Sequence, residues 1–309
     1  MAGVFPYFHI PVLDLGPVDL QPFSILVASG VLFGTWMARK YSERNGLDED
    51  TMRSLGIHLL VWGFISCHVL NTAFYEWDRA MGPWVSKERP GWVLWFMMWD
   101  GISSWGGVIG GGLALYFYTT IRRLDRLAWA DWAAYGAIAG WVPGRLACAL
   151  VHDHLGYPTS FALAVEFPPH QYTFDRASSA VIRAHDLGLY ELMYLVPLFL
   201  VIVVLERVKR RKPGLLMGVL AVGYSVPRFF LEFLRRPESD PRYYGLTFAQ
   251  FACIAAVIGG IMLLRRRPGE PVPSASAAVA STQRVARGDT GAKTAEKRRP
   301  DVDDVKRTT

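Results

Sequence analysis

The sequence predicts an all-α bundle of about seven membrane-spanning helices, N-terminus outside the cell and C-terminus in the cytoplasm. Three observations carry this expectation. Hydrophobic residues make up 51% of the 309, and they gather into long runs. Seven runs, at roughly 22–40, 54–75, 102–121, 129–151, 188–206, 214–233 and 247–264, match the length of about 20 residues that a bilayer-crossing helix needs. Lys and Arg are shared unevenly between alternate loops, and the richer side faces the cytoplasm.

Taken in order, the first run follows a start without Lys or Arg before Arg39 and without a small-residue cleavage pattern, so no cleaved signal is expected. It leads into Arg39, Lys40, Arg44 and Arg53. The second run holds His58, Cys67 and His68, all expected to pack. The Trp-rich stretch 92–99 suits a membrane interface, where indole rings are enriched. The third run opens with Ser103, Ser104 and Trp105 and carries Gly106, Gly107 and Gly110 to Gly112. Small residues let helices approach closely, which explains Gly110 onward. Residues 103–107 could instead form a broken helix start whose N–H groups face a head group. The third run ends at Arg122, Arg123 and Arg126, and the fifth at Arg207, Lys209, Arg210, Arg211 and Lys212. The seventh ends at Arg265, Arg266 and Arg267. The alternate loops carry fewer basic residues, among them Arg79, Arg183 and Arg242.

The loop 152–187 lies on the outer side and is long enough to suggest a functional segment. Residues 1–267 therefore read as one transmembrane domain, and 268–309, rich in Ala, Ser, Thr, Pro and charge, as a disordered cytoplasmic tail. The three cysteines, Cys67, Cys148 and Cys253, fall inside spans and read as buried hydrophobes. The net charge of +6 would suggest nucleic acid in a soluble protein. Here the basic residues flank helices, so the membrane surface accounts for them and no nucleic acid is expected.

Charges inside a bilayer are expensive, about 2.5–3.5 kcal/mol each on insertion scales, and so mark function. Arg145 lies late in the fourth run; Tyr190 and Glu191 open the fifth; Tyr224, Arg228 and Glu232 lie late in the sixth. With the orientation above, all sit toward the outer leaflet. Tyr224, Arg228 and Glu232 follow an i, i+4, i+8 spacing that keeps them on one helix face, with Arg235 close to it. The plainer readings are a structural ion pair for Arg228 and Glu232 and a snorkelling Arg235. Arg145 has no carboxylate at i−3 or i−4 and needs a partner elsewhere or an anionic ligand. His152, Asp153 and His154 look metal-like, but no third and fourth ligand is evident, and neither a metal nor a cofactor is expected.

Several segments, in order, resemble the prolipoprotein diacylglyceryl transferases of bacterial membranes, from about residue 16 to 265. They are Gly101-Ile-Ser-Ser-Trp-Gly-Gly-Val-Ile-Gly-Gly111; Gly144-Arg-Leu-Ala-Cys-Ala-Leu150 with Gly156-Tyr-Pro-Thr159 and Ala164-Val-Glu-Phe-Pro168; His185 with Leu189-Tyr-Glu191; and Tyr224, Arg228-Phe-Phe-Leu-Glu-Phe-Leu-Arg235, Pro237, Gly245-Leu-Thr247 and Gln250. The resemblance implies transfer of the diacylglyceryl group of phosphatidylglycerol to the thiol of a lipobox cysteine in a preprolipoprotein. A thioether forms and glycerol 1-phosphate leaves.

The resemblance also implies roles. Arg145 binds lipid phosphate, with Arg235, Ser104, Gly106, Gly107, Cys148, Tyr190 and Glu191 as further substrate-binding positions. Arg228, Glu232 and Tyr224 serve the reaction. Three positions depart from the pattern: Trp105 stands where the best-studied members have a histidine, Cys148 where they have an asparagine, and Phe23 where they have a tyrosine. The thiol base stays unnamed, with His152, His154 and Glu232 as candidates. The implied location is the bacterial inner membrane, with the active site at the outer leaflet. A monomer is expected, because an intramembrane lipid site needs only one bundle. Two other readings stay open: a paralogue with another lipid-transfer or lipid-binding role, and a transporter. A transporter should line its route with polar groups at the midplane and inner half, and the inner halves of runs four to seven are nearly all apolar.

Overall fold

The computed structural model describes residues 5–8, 10–11, 13–14, 19–83, 90–97, 101, 103–208, 211–240 and 242–266. The expected tail at 268–309, and Trp99, Lys209, Arg210 and Arg267, lie outside them. Two short strands, β1 (Leu13–Asp14) and β2 (Asp19–Leu20), precede helix α1 (Pro22–Asn45). Then come α2 (Glu49–Phe74), the short α3 (Trp77–Met81), a 3-10 helix at Gly91–Phe96, α4 (Ser104–Ile121) and α5 (Arg126–Val151). After a β layer follow α6 (Leu187–Glu206), α7 (Leu215–Leu231) and α8 (Phe248–Arg265).

A long helix stands at each of the seven apolar runs. Five of them, α2, α5, α6, α7 with its 3-10 extension, and α8, are long and apolar enough to cross a membrane by length and composition. The charged end of α1 and the glycines and aromatics of α4 dilute the apolarity of those two. Helix α2 leaves Ile57, Leu60, Trp62 and Phe64 exposed, a wide apolar surface that water would not favour.

The structure departs from the all-α expectation in the loop 152–187. Strands β3 (Leu155–Pro158), β4 (Val165–Phe167) and β5 (Ile182–Asp186) form an antiparallel sheet in the order β3-β5-β4. Val165 and Phe167 are buried and Glu166 between them is exposed, the period-2 pattern of a half-buried strand. Three residues of that pattern are too few to stand out in a Pro-rich loop. A last hairpin, β6 (Arg242–Tyr243) with β7 (Leu246–Thr247), leads into α8, which opens on a capping box between Thr247 and Gln250.

Glycines set two helix contacts. A Cβ on Gly30 would lie 2.6 Å from the Gly140 carbonyl oxygen, and one on Gly34 2.7 Å from that of Gly136, so α1 and α5 touch backbone to backbone. Trp132 Nε1 seals the contact by donating to the Ala38 carbonyl at 3.1 Å. Gly106 and Gly110 do the same for α4 against α2, where added Cβ atoms would come within 2.5 Å of Ser66 O and 2.6 Å of Trp62 O. Packing was expected from Gly110 onward. It starts at Gly106 and leaves Gly111 and Gly112 without close neighbours. Substituting Val at Gly34 should therefore separate α1 from α5. Backbone cannot repack as side chains do, so we expect a loss of at least the about 1–3 kcal/mol typical of overpacking, read as a lowered melting temperature in detergent.

The two ends of the bundle differ. At one end, Arg211 donates to the Glu206 carbonyl (2.7 Å), Tyr41 (2.8 Å) and Asn45 (2.8 Å), while Asp131 accepts from the backbone N–H groups of Gly214 and Met217 at the start of α7. A cavity of about 380 Å³ opens at this end between α1, α5 and α6, beside Phe33, Lys40, Arg44, Tyr135, Phe199 and Arg207. The β layer lies at the other end. There Leu155, Val165, Phe167, Tyr172 and Ala184 form a small core of their own.

Candidate active site

The late turns of α5 and α7 and the first two turns of α6 meet at the β-layer end. They bring Arg145, Arg228, Tyr224 and Glu191 together, all at most 5% exposed. Glu191 is the hub. Its Oε2 lies 2.9 Å from Arg145 Nε, and its Oε1 lies 3.2 Å from Arg228 Nε. The Tyr224 hydroxyl donates to Glu191 Oε2 at 3.1 Å and accepts from Arg145 Nη2 at 3.3 Å. Arg145, which has no carboxylate at i−3 or i−4 on its own helix, thus finds one on α6.

The i, i+4 pair of Arg228 and Glu232 is formed, Nη1 to Oε2. Helix α7 stops at Leu231 and continues as a 3-10 turn at Glu232–Leu234, which tightens the backbone just where the carboxylate projects. Arg235 lies 3.8 Å from Glu232 and pairs with Asp240, so charge extends from the buried hub toward the surface. Three arginines face three carboxylates. Buried charges of this kind persist only when paired, and removing one partner is strongly destabilising.

Arg145 is not used up by Glu191 and Tyr224. Its Nη1 edge faces His154 Nε2 at 3.2 Å and Cys148 Sγ at 3.9 Å, neither of them a carboxylate. A planar guanidinium with one such edge suits a phosphate oxygen. Beside it, the hydroxyl of Tyr194 and Oε1 of Glu232 are buried and make no hydrogen bond within the protein among the described residues.

Trp105 belongs to the wall of this site. It is buried, with its ring 6.5 Å from that of Tyr224, and Trp141 at 4.3 Å and Tyr194 at 6.0 Å close the same ring on other sides. Gly106 faces the backbone of α2, and a Cβ on Gly107 would come within 2.8 Å of the Cys67 sulfur. The site reading of these two glycines thus stands beside a packing role. Ser103 precedes α4 and is buried; Ser104, the first residue of α4, is exposed. Tyr190 lies apart from the arginines: its hydroxyl donates to the Leu163 carbonyl at 3.2 Å and meets His185 Nδ1 at 3.0 Å, tying α6 to the β layer.

The two histidines of the 152–154 segment part company. His152 caps α5 in a left-handed conformation, φ +53°, and so reverses the chain. Its Nδ1 lies 2.5 Å from Asp186, and its ring stacks on Tyr7 and meets Phe167 edge-on in the β-layer core. His154 turns back over Arg145, with Nδ1 paired to Asp153. Asp186 also accepts from the Leu189 N–H as the cap of α6. Sequence reasoning missed Asp186, although an Asp three residues before the N–H it caps is an ordinary helix-start signal. It also missed Trp141 and Tyr194, which look like any other aromatic residues in an apolar run.

Burial in the β layer lowers the pKa of His185 below its usual 6.5. The folded state then disfavours the protonated ring, so stability held above about pH 6.5 is lost as pH falls and the unfolded chain takes up the proton. We expect the melting temperature to drop on acidification below pH 6.5, by less in His185→Asn than in the wild type.

The chain is similar to known proteins over most of its length. The family model for prolipoprotein diacylglyceryl transferases matches residues 11–266. A phosphatidylglycerol–prolipoprotein diacylglyceryl transferase of Thermosynechococcus vestitus is 28% identical over 271 residues, covering 84% of this chain and 94% of the relative. Proteins of the same name from Bartonella tribocorum (29% over 257 residues, 80% and 84% covered) and Oceanobacillus iheyensis (27% over 258 residues, 82% and 85%) are similar too.

Proposed function

Since the chain belongs to the prolipoprotein diacylglyceryl transferase family, we propose that it moves the diacylglyceryl group of phosphatidylglycerol onto the lipobox cysteine of a preprolipoprotein. The observation that carries this reading is the buried Arg145–Glu191–Arg228 cluster, drawn from three helices to one end of an apolar bundle. The phosphate of the donor lipid binds the Nη1 edge of Arg145. Arg228 stands beside it, and both cations are held in place by Glu191. The thiolate attacks the glyceryl carbon that carries the phosphate ester; the C–S bond forms, the C–O bond breaks, and the electron pair leaves with glycerol 1-phosphate. Preset positive charge on that departing phosphate is the main source of rate, since it needs no reorganisation as the bond breaks. Glu232 and Asp240 hold Arg228 and Arg235, and the Trp105, Trp141 and Tyr194 rings keep water from Tyr224.

In this reading all seven long helices cross the inner membrane of a bacterium. The N-terminus and the β layer lie outside, the Arg211 end faces the cytoplasm, and the lipid enters a monomer from the outer leaflet. Two experiments test it. The chain should restore lipoprotein modification in cells depleted of their own transferase. Purified protein should convert a lipobox peptide to its thioether with phosphatidylglycerol, and not with phosphatidylethanolamine. A well-inserted protein that does neither would favour a lipid-binding paralogue.

A further inference from the structure

Attack by sulfur requires a thiolate, yet no group has been given the task of taking the proton. We propose that His154, oriented by Asp153, is the base that deprotonates the incoming thiol, and that Arg145 blocks it until a phosphate-bearing lipid binds. The inference rests on the transferase reading above.

The neighbours of His154 fix its tautomer. A carboxylate only accepts, so Nδ1 carries its proton toward Asp153. A guanidinium only donates, so Nε2 presents its lone pair to Arg145 Nη1 at 3.2 Å. A ring with one nitrogen donating to a carboxylate and the other open as an acceptor has the arrangement of a general base. Its backbone is anchored as well, since the His154 carbonyl accepts from the Leu187 N–H at 2.8 Å. With its side chain 22% exposed, it can be reached from the β-layer end.

The other candidates are engaged. Glu191 lies between Arg145 and Arg228, and Glu232 between Arg228 and Arg235. His152 has a buried Nε2 without a hydrogen-bond partner among the described residues, but its ring is packed between Tyr7 and Phe167 and paired with Asp186, away from the arginines. A metal is the rival use of this corner. Among the described residues, Cys148, Asp153 and His154 offer ligand atoms within 4.8 Å of one another. Arg145 Nη1 contacts both the Cys148 sulfur and His154 Nε2, so a fixed cation already occupies the side from which an ion would be held.

The same contact supplies the gate. In the free protein Arg145 Nη1 covers the lone pair of His154. A lipid phosphate that takes Nη1 uncovers Nε2 beside the carbon to be attacked. The thiol proton then passes to Nε2 and the thiolate forms next to its target. The proton leaves His154 for the departing phosphate monoester, whose second ionisation lies near pH 6, and the neutral ring returns.

The charged and titratable groups facing His154 are Asp153, Arg145 and Cys148 from its own segment and α5, and Glu191 from α6. None of them is altered by His154→Gln. That variant should lose on the order of 10²–10⁴-fold in kcat/KM for a lipobox peptide at pH 7. Its rate should climb about tenfold per pH unit toward the pKa of the peptide thiol, near 8.5, while the wild type levels off earlier. Binding of phosphatidylglycerol in nanodiscs should be unchanged, and imidazole in the buffer should restore His154→Ala. Wild-type protein that makes no thioether overturns the function and the base with it. An active wild type overturns the base alone if His154→Gln keeps its rate and pH profile. The base is likewise overturned if the variant loses lipid binding with the profile unmoved and imidazole has no effect on His154→Ala.

Discussion

Replacing Glu191 with Gln should abolish transfer and lower the melting temperature, although the side chain keeps its size. The carboxylate is fully buried and sits 2.9 Å from one arginine and 3.2 Å from another, on helices that depend on it to bring two like charges together. An amide can keep one hydrogen bond but offers no charge, and leaves Arg145 and Arg228 repelling each other in a medium of low dielectric constant. Breaking a buried ion pair by removing one partner typically costs about 3–5 kcal/mol. Activity should fall further than stability, because the guanidinium edges would turn away from the phosphate. Thermal unfolding in detergent and a peptide-transfer assay on the same preparation check both. A Glu191→Gln protein with wild-type melting and wild-type turnover would show that the arginines are held by something else.

The second large effect is expected at Arg145. Substitution by Ala removes the Nη1 edge proposed to bind the lipid phosphate and also frees Glu191 and Tyr224 on one side. Loss of a preset donor to developing negative charge lowers turnover by about 10²–10³-fold. Arg145→Lys separates charge from geometry. A lysine places one ammonium there but cannot span Glu191 and a phosphate in one plane, so it should recover only part of the loss. Turnover at saturating phosphatidylglycerol, measured for both variants, decides. Equal activity of Arg145→Ala and wild type would remove Arg145 from the phosphate site.

These expectations depend on features of unequal legibility. Tyr224, Arg228 and Glu232 could be read from spacing alone, because helical periodicity places i, i+4 and i+8 on one face before any partner is known. Arg145 could be recognised as unpaired, and that flagged it. Its partner could not be named, because Glu191 lies 46 positions away on another helix and nothing local links them. The opposite holds for the β layer. Its strands are three to five residues long, so local pattern could not distinguish them from loop, and only the pairing of β5 with both β3 and β4 makes them a sheet.

The sequence by itself determined that this chain builds a bundle of long apolar helices with charge reserved for particular turns. Segment length and hydropathy are local properties, and intramembrane charge is too expensive to be accidental. The tertiary structure alone decided that Glu191 is the centre of that charge, that Trp105 lines the wall around Tyr224, and that His154 rather than His152 reaches the arginines. Each of these rests on which atoms lie within about 3–4 Å, where a hydrogen bond or ion pair is made or lost. Chain reversal at His152 sets that distance, and one residue in a left-handed turn sends neighbouring histidines to different environments.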